Sequence, residues 1–154
     1  MRFALTLILL GISIFSRAES IFYYAPEDGK GGIRYAYQTP GGEWSEIGSN
    51  YNFLSSDFGS WGTGKKMWNP QIYKTGEEWA VVFSVTPNST VYGITTTSDL
   101  IHWKPQKYIK AEELDLEINK FKDISTKAVV RIDGENTEGY EIPVSQGMIK
   151  QLFT

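Results

Sequence analysis

The chain has no cysteine and a single histidine, His102. No disulfide can staple it, no thiolate metal site can form, and a histidine-based metal cluster is excluded. Metals and other cofactors are therefore not expected. Neither sign of charge dominates: 15 Lys and Arg stand against 18 Asp and Glu, a net charge of −3. Weak, scattered negative charge argues against nucleic acid or an anionic membrane surface as partner. There is also no apolar run of the roughly 20 residues that a membrane-spanning helix requires. The longest, residues 4–15, is interrupted by Thr6, Gly11 and Ser13. Arg2 precedes it and Ser16-Arg17-Ala18 follows it, the layout of a secretory signal peptide cleaved near Ala18. Residues 1–18 are set aside on that ground. The protein is expected to be secreted or periplasmic, with no membrane span left after cleavage. Without Arg2 and Arg17, 13 basic side chains face 18 acidic ones, a net charge of −5. Residues 19–154 suffice for one modest core.

Aromatic residues are plentiful, and four of the five tryptophans fall within residues 59–103. That stretch reads as one sheet of four short strands. A loop with Gly59, Gly62 and Gly64 leads into Trp68-Asn69-Pro70. Residues 71–74 form a first strand, and Thr75-Gly76-Glu77 turns the chain, with Gly76 supplying positive φ. Residues 78–85, β-branched and aromatic, form a second strand, and residues 87–89 turn again. Residues 90–97, with three successive threonines, suit a third strand. Ser98-Asp99-Leu100 makes the next turn and Trp103 opens an outer strand. Such a meander with tryptophans at set places describes one blade of a β-propeller. Trp79, Val81, Phe83, Tyr92, Ile94 and Trp103 are its expected packing residues. His102 is expected to be structural, and Asp99 to accept backbone hydrogen bonds in its turn.

Residues 19–48 repeat the theme. Residues 21–24 match 80–83, residues 33–37 match 91–95, and Glu43-Trp44 matches His102-Trp103, at offsets of 58 to 59 residues. Self-similarity at this period marks stacked sheet modules. The first copy has equivalents of strands two to four but no innermost strand, because the leader ends just before Ile21. Its inner edge is expected to await a strand that this chain does not supply, and two blades cannot close a ring. Residues 19–110 are thus expected to be two blades at the front of a longer propeller. Residues 50–66 join the copies. Their aromatics, Phe53, Phe58 and Trp61, either line a face where ligands enter or fill the gap between two sheets.

The blade elements carry a family resemblance. Asn69-Pro70-Gln71-Ile72, an aromatic strand, and then residues 96–103 resemble the five-bladed β-propeller glycosidases of glycoside hydrolase family 43 and their arabinosidase relatives. In that pattern Asp-Pro-x-Ile opens an innermost strand, and an element of the Ser-x-Asp-Leu-x-x-Trp type closes the blade. In Ser98-Asp99-Leu100-Ile101-His102-Trp103 the closing element is matched from Asp99 on, with Ser98 directly before the acid, while the acid of the opening element is Asn69 here. The resemblance implies an all-β fold: a partial five-bladed β-propeller with a C-terminal hairpin and short helix. It further implies the N-terminal part of a secreted arabinofuranosidase- or arabinosidase-type hydrolase, with plant oligo- or polysaccharide as partner. The alternative is a noncatalytic carbohydrate-binding propeller module appended to a glycosidase.

Glycoside hydrolysis uses two carboxyl groups flanking the scissile bond, and the family resemblance implies three acids on the inner strands of the first three blades. None carries over. The first inner strand is missing, the third blade lies beyond Thr154, and the second offers Asn69. An amide takes no proton at neutral pH but still hydrogen-bonds a sugar hydroxyl. Glu27, Asp28 and Asp57 are read as loop or turn acids. Catalytic residues are therefore unassigned, and the chain by itself lacks a complete catalytic set. Trp61 and Trp68 flank the entrance to the inner strand, where indole faces suit the C–H faces of sugars. With Asn69 and Lys66 they are the expected substrate-binding residues, although a solvated loop also accounts for Lys65 and Lys66. Asn88-Ser89-Thr90 matches a glycosylation sequon.

Residues 111–154 change character. Glu112, Glu113, Asp115 and Glu117 suggest a solvated loop or one helical turn. Residues 127–133 alternate as a strand, Asp133-Gly134 signals a turn, and Tyr140-Glu141-Ile142 begins a return strand stopped by Pro143. Ser145 is placed to cap a helix over residues 146–153. This segment reads as an insertion or as the start of a further part.

Overall fold

The computed structural model describes residues 20–26, 32–56, 67–86 and 90–153. The leader and the expectations on Glu27, Asp28, Asp57, Phe58, Trp61, Lys65, Lys66 and Asn88 lie outside them. The described chain is mostly β-strand: β1 (Ser20–Tyr24), β2 (Arg34–Gln38), β3 (Trp44–Glu46), β4 (Trp68–Thr75), β5 (Glu78–Ser84), β6 (Val91–Thr97), β7 (Lys107–Lys110), β8 (Lys122–Asp123), β9 (Thr126–Ile132) and β10 (Glu135–Pro143). Two short helices, α1 (Ala111–Ile118) and α2 (Gln146–Leu152), complete it. The class is all-β.

Two sheets result. Sheet II runs β7-β6-β5-β4-β8, a meander of neighbouring segments with β8 added at the β4 edge. Sheet I runs β3-β2-β1-β10-β9, and one parallel bridge, Trp44 to Ile132, joins β9 to β3 and closes it into a five-stranded barrel. The free edge of β1 is therefore paired by a strand of this same chain, which corrects the expectation above. β10 pairs antiparallel with β1, setting Ile21 against Ile142 and Tyr23 against Tyr140. Local periodicity identifies a strand but not a partner far along the chain. The entropy of closing so long a loop grows only logarithmically with its length, so a distant partner is affordable once it buries apolar surface.

The repeat holds at the level of pairing. Advancing β1 and β2 by 59 residues superposes their register on β5 and β6 pair for pair: Ile21–Tyr37 becomes Ala80–Thr96, and Tyr24–Arg34 becomes Phe83–Gly93. The uniform offset is 59, so the match of residues 33–37 to 91–95 is one residue out. A one-residue slip exchanges the two faces of a strand. With the offset set, the packing becomes clear. The shared core takes Ile21, Tyr23, Tyr35 and Ile142 from sheet I and Ile72, Trp79, Val81 and Phe83 from sheet II. Ile21 and Tyr23 correspond to Ala80 and Val82, which alternate with those core residues of sheet II. The sheets thus stack front to back, as one module following another.

Both outer faces are covered. Behind sheet I, β9 curls over Phe22, Ala36 and Trp44 and adds Ala128, Val130 and Ile132 to a second cluster. Beyond sheet II, α1 packs on β6 and β7, and Phe121 stacks on Tyr73 with ring centroids 5.9 Å apart. The acidic run is therefore a two-turn helix, longer than expected. Glu112 and Glu113 fall in its first turn, where negative charge is favoured by the helix dipole. Ser145 caps α2 as anticipated, its Oγ accepting from Met148 N at 3.2 Å, and Ile149 and Leu152 enter the core.

The closing motif is a compact plug. Asp99 Oδ1 accepts from the N–H groups of Ile101 (2.9 Å) and His102 (2.7 Å). Leu100, with φ of +65°, is fully buried, and its carbonyl accepts from Tyr35 Oη at 3.0 Å. Trp103 Nε1 donates to the Phe53 carbonyl at 2.8 Å. Trp103 does not open a strand. Thr97 and Thr95 hydroxyls donate to the carbonyls of His102 and Lys104 at 2.6 Å each, so side chains replace the ladder there and β7 starts only at Lys107. Phe53 fills the gap between the sheets, its ring centroid 4.4 Å from that of Tyr35.

Candidate functional site

The inner strands β4 and β10 begin beside an open cleft of about 840 Å³. Its lining includes Tyr23 and Tyr24 from β1, Trp68 and Asn69 from β4, and Glu138 and Tyr140 from β10. The sequence builds this mouth locally. Between Trp68 and Gln71 the β4–β5 register shifts by a bulge. Asn69 stands there at φ of +47°, a left-handed conformation that asparagine tolerates better than most residues. Pro70 follows, with no N–H to offer the ladder. The bulge leaves Asn69 exposed and Trp68 half-buried at the rim. Bulges of this kind re-aim side chains beside functional sites.

Two expected binding residues, Trp68 and Asn69, are thus brought together; the other two, Trp61 and Lys66, lie outside the described residues. The structure adds a tyrosine floor. Tyr23 and Tyr140 stack with centroids 5.3 Å apart. Tyr23 Oη accepts from Ile72 N at 3.1 Å and lies 2.9 Å from Ser125 Oγ. Ser125 Oγ donates to the Ile72 carbonyl at 3.0 Å, so the tyrosine proton goes to the serine oxygen. Burial, only partly offset by these bonds, pushes the Tyr23 hydroxyl up to about 12. Burial and the neighbouring Glu46 carboxylate raise Tyr24 as well. Both phenols stay neutral at physiological pH.

Among the described lining residues Arg34 and Lys127 stand against Glu135 and Glu138. Arg34 is held by Asn52 Oδ1 at 3.0 Å and Asn50 Oδ1 at 3.3 Å. Glu138 was missed in the sequence because its strand was not recognised as the inner one. Tyr140, opposite Tyr23, corresponds under the 59-residue relation to Gln71, opposite Val82. Carried two residues further, across the bulge, the relation sets Glu138 level with Trp68, the partner of Ser84, and Asn69 is the extra residue of the bulge. Tyr140-Glu141-Ile142 was a legible strand signal, but only the pairing shows that it carries an acid to this mouth.

The carboxylate with a strongly lowered pKa, Asp99, belongs to the closing turn. Burial alone would raise it, yet hydrogen bonds from the His102 side chain and the His102 and Ile101 N–H groups hold it at about 2. Its role there is structural, and His102 Nδ1 lies 2.7 Å from its other oxygen. Among the described residues no group of three or more His, Cys, Asp or Glu is placed to hold a metal, and no helix is long and apolar enough to cross a membrane. No protein-family model, curated protein or solved structure matches the chain.

Proposed function

We propose that this chain is a secreted carbohydrate-binding unit, two blades of the five-bladed β-propeller type seen in family 43 glycosidases, which holds neutral oligosaccharide from plant polysaccharide in the cleft between its inner strands. The observation that carries the reading is the meeting of Trp68, Asn69 and the Tyr23–Tyr140 pair at one open mouth. Sugars present apolar C–H faces to aromatic rings and hydroxyls to amides, and the balanced charge of the described lining residues suits a neutral one. The blade reading is supported by the shared register of the two hairpins and by a far-end strand completing the first of them, a device that protects a propeller's edges. Binding without hydrolysis is favoured because Asn69 stands where the resembling pattern has an acid.

The test is calorimetric titration of the chain with arabinan, arabinoxylan and xylan. Binding to an arabinose-bearing polymer is expected. Trp68→Ala should weaken it about tenfold, the scale of a buried aromatic anchor. Absence of binding to all three polymers would overturn the reading. A second reading, a hydrolase, is favoured by Glu138, an acid of β10 that lines the same cleft as Asn69. Release of reducing sugar that is lost in Glu138→Gln would establish it in place of the first.

A further inference from the structure

A hydrogen-bonded row of fixed polarity ends at the cleft. Tyr73 Oη donates to Gln71 Oε1 at 2.6 Å, and Gln71 Nε2 donates to Tyr140 Oη at 3.4 Å. An amide oxygen only accepts and an amide nitrogen only donates. Because Tyr73 holds the oxygen, the nitrogen is the end that faces Tyr140. The 2.6 Å separation at Tyr73 is that of an O–H···O bond and shorter than N–H···O bonds run, which sets the oxygen at that end. The Tyr140 oxygen accepts from Gln71, and its own proton meets no acceptor among the described residues. Stacking on Tyr23 restrains the ring, and the residue lines the cleft beside Trp68 and Asn69.

We propose that Gln71 is a positioning residue that turns the Tyr140 hydroxyl proton into the cleft, so that a ligand must present an acceptor oxygen, a ring, glycosidic or hydroxyl oxygen of a neutral sugar, opposite Tyr140. The identity of the ligand rests on the carbohydrate reading; the direction of the proton does not. The row also explains why Gln71 sits next to the bulge without lining the cleft. It fixes the polarity of a neighbour that does line it. A hydroxyl free to rotate would accept or donate equally, whereas this one arrives oriented.

Two measurements test this. Neutron diffraction from the perdeuterated, ligand-free protein should find the Tyr140 deuteron pointing away from Gln71 into the cleft; a deuteron directed at Gln71 overturns the proposal whatever the protein binds. Calorimetry with α-1,5-linked arabinotriose reads the consequence. Tyr140→Phe should weaken binding about fivefold, the worth of one neutral hydrogen bond. Gln71→Glu, whose carboxylate accepts from both tyrosines and draws the Tyr140 proton inward, should cost about the same. Adding Gln71→Glu to Tyr140→Phe should cost nothing more, and losses that instead multiply would mean that Gln71 acts only through packing and would overturn the proposal. An outward deuteron in a protein that binds no arabinotriose would support the positioning role while counting against the carbohydrate reading.

Discussion

Sheets I and II share one hairpin register yet find their inner strands in opposite directions along the chain. Sheet II takes β4 from the residues just before β5. Sheet I takes β10 from the far end, with Ser20 hydrogen-bonded to Glu141 across 121 residues. The difference separates two kinds of stability. Apart from the short β8, sheet II is assembled from consecutive turns and strands, so most of its contacts are local and its folding requires little chain closure. Sheet I becomes a complete sheet only when the tail arrives, and the cleft exists only once both inner strands are in place. The tail is therefore part of the core and of the site together: Ile142, Val144, Ile149 and Leu152 all belong to the shared cluster.

The largest expected effect follows from removing the tail. A chain ending at Ile124 loses β9, β10 and α2, exposes the inner edge of β1, and should lose its cooperative thermal transition by circular dichroism. A sharp transition in that variant would mean that sheet I does not depend on β10. A smaller effect compares two glycines that each lie beneath a phenylalanine. A Cβ at Gly139 would stand 2.3 Å from the Tyr23 carbonyl oxygen and 2.6 Å from the Phe22 ring, whereas one at Gly93 would meet the Phe83 ring at 2.2 Å. A ring can shift, but backbone paired on both sides cannot. Gly139→Ala should cost about 3 kcal/mol and Gly93→Ala about 1–2 kcal/mol, read from chemical denaturation. Equal costs would remove the asymmetry between the sheets.

The smallest effect concerns the turn that only sheet II elaborates. Asp99→Ala removes a side-chain cap and should cost about 1 kcal/mol. The folded carboxyl sits at about 2, below its ordinary value of 3.8. Its contribution is therefore complete above pH 4 and is lost as the pH falls through 2. Acid unfolding followed by tryptophan fluorescence should be shallower over that window in Asp99→Ala than in the parent. Identical acid profiles would mean that the turn adds no pH dependence.

The centre of sheet II was legible in the sequence, although β4 starts three residues before the expected Gln71 and β8 was not read as a strand. Gly76 marked the β4–β5 turn, and the β-branched and aromatic runs marked β5 and β6 to within a residue. The tail turn and the Ser145 cap were legible for the same reason, turn and cap chemistry being local, but the return strand β10 begins at Glu135, five residues before the expected Tyr140. The inner edge of sheet I was not, because nothing around Tyr140-Glu141-Ile142 states that its partner is Ile21. Trp103 misled as a strand opener because threonine hydroxyls, rather than a backbone ladder, take up the carbonyls after the turn. Of the site, Trp68 and Asn69 were read from their place at the strand entrance. Tyr23, Glu138 and Tyr140 join them only through the long-range pairing of β1 with β10.

The most direct test of the carbohydrate cleft is an NMR titration of the ¹⁵N-labelled protein with arabino-oligosaccharides, following the Trp68 indole and Asn69 amide side-chain signals while monitoring the sugar itself. The account predicts saturable shifts at Trp68 and Asn69, with little change at Trp79 and Trp103 in the core, and recovery of intact oligosaccharide. Saturable shifts confined to other surfaces, or release of free arabinose during the titration, would contradict it.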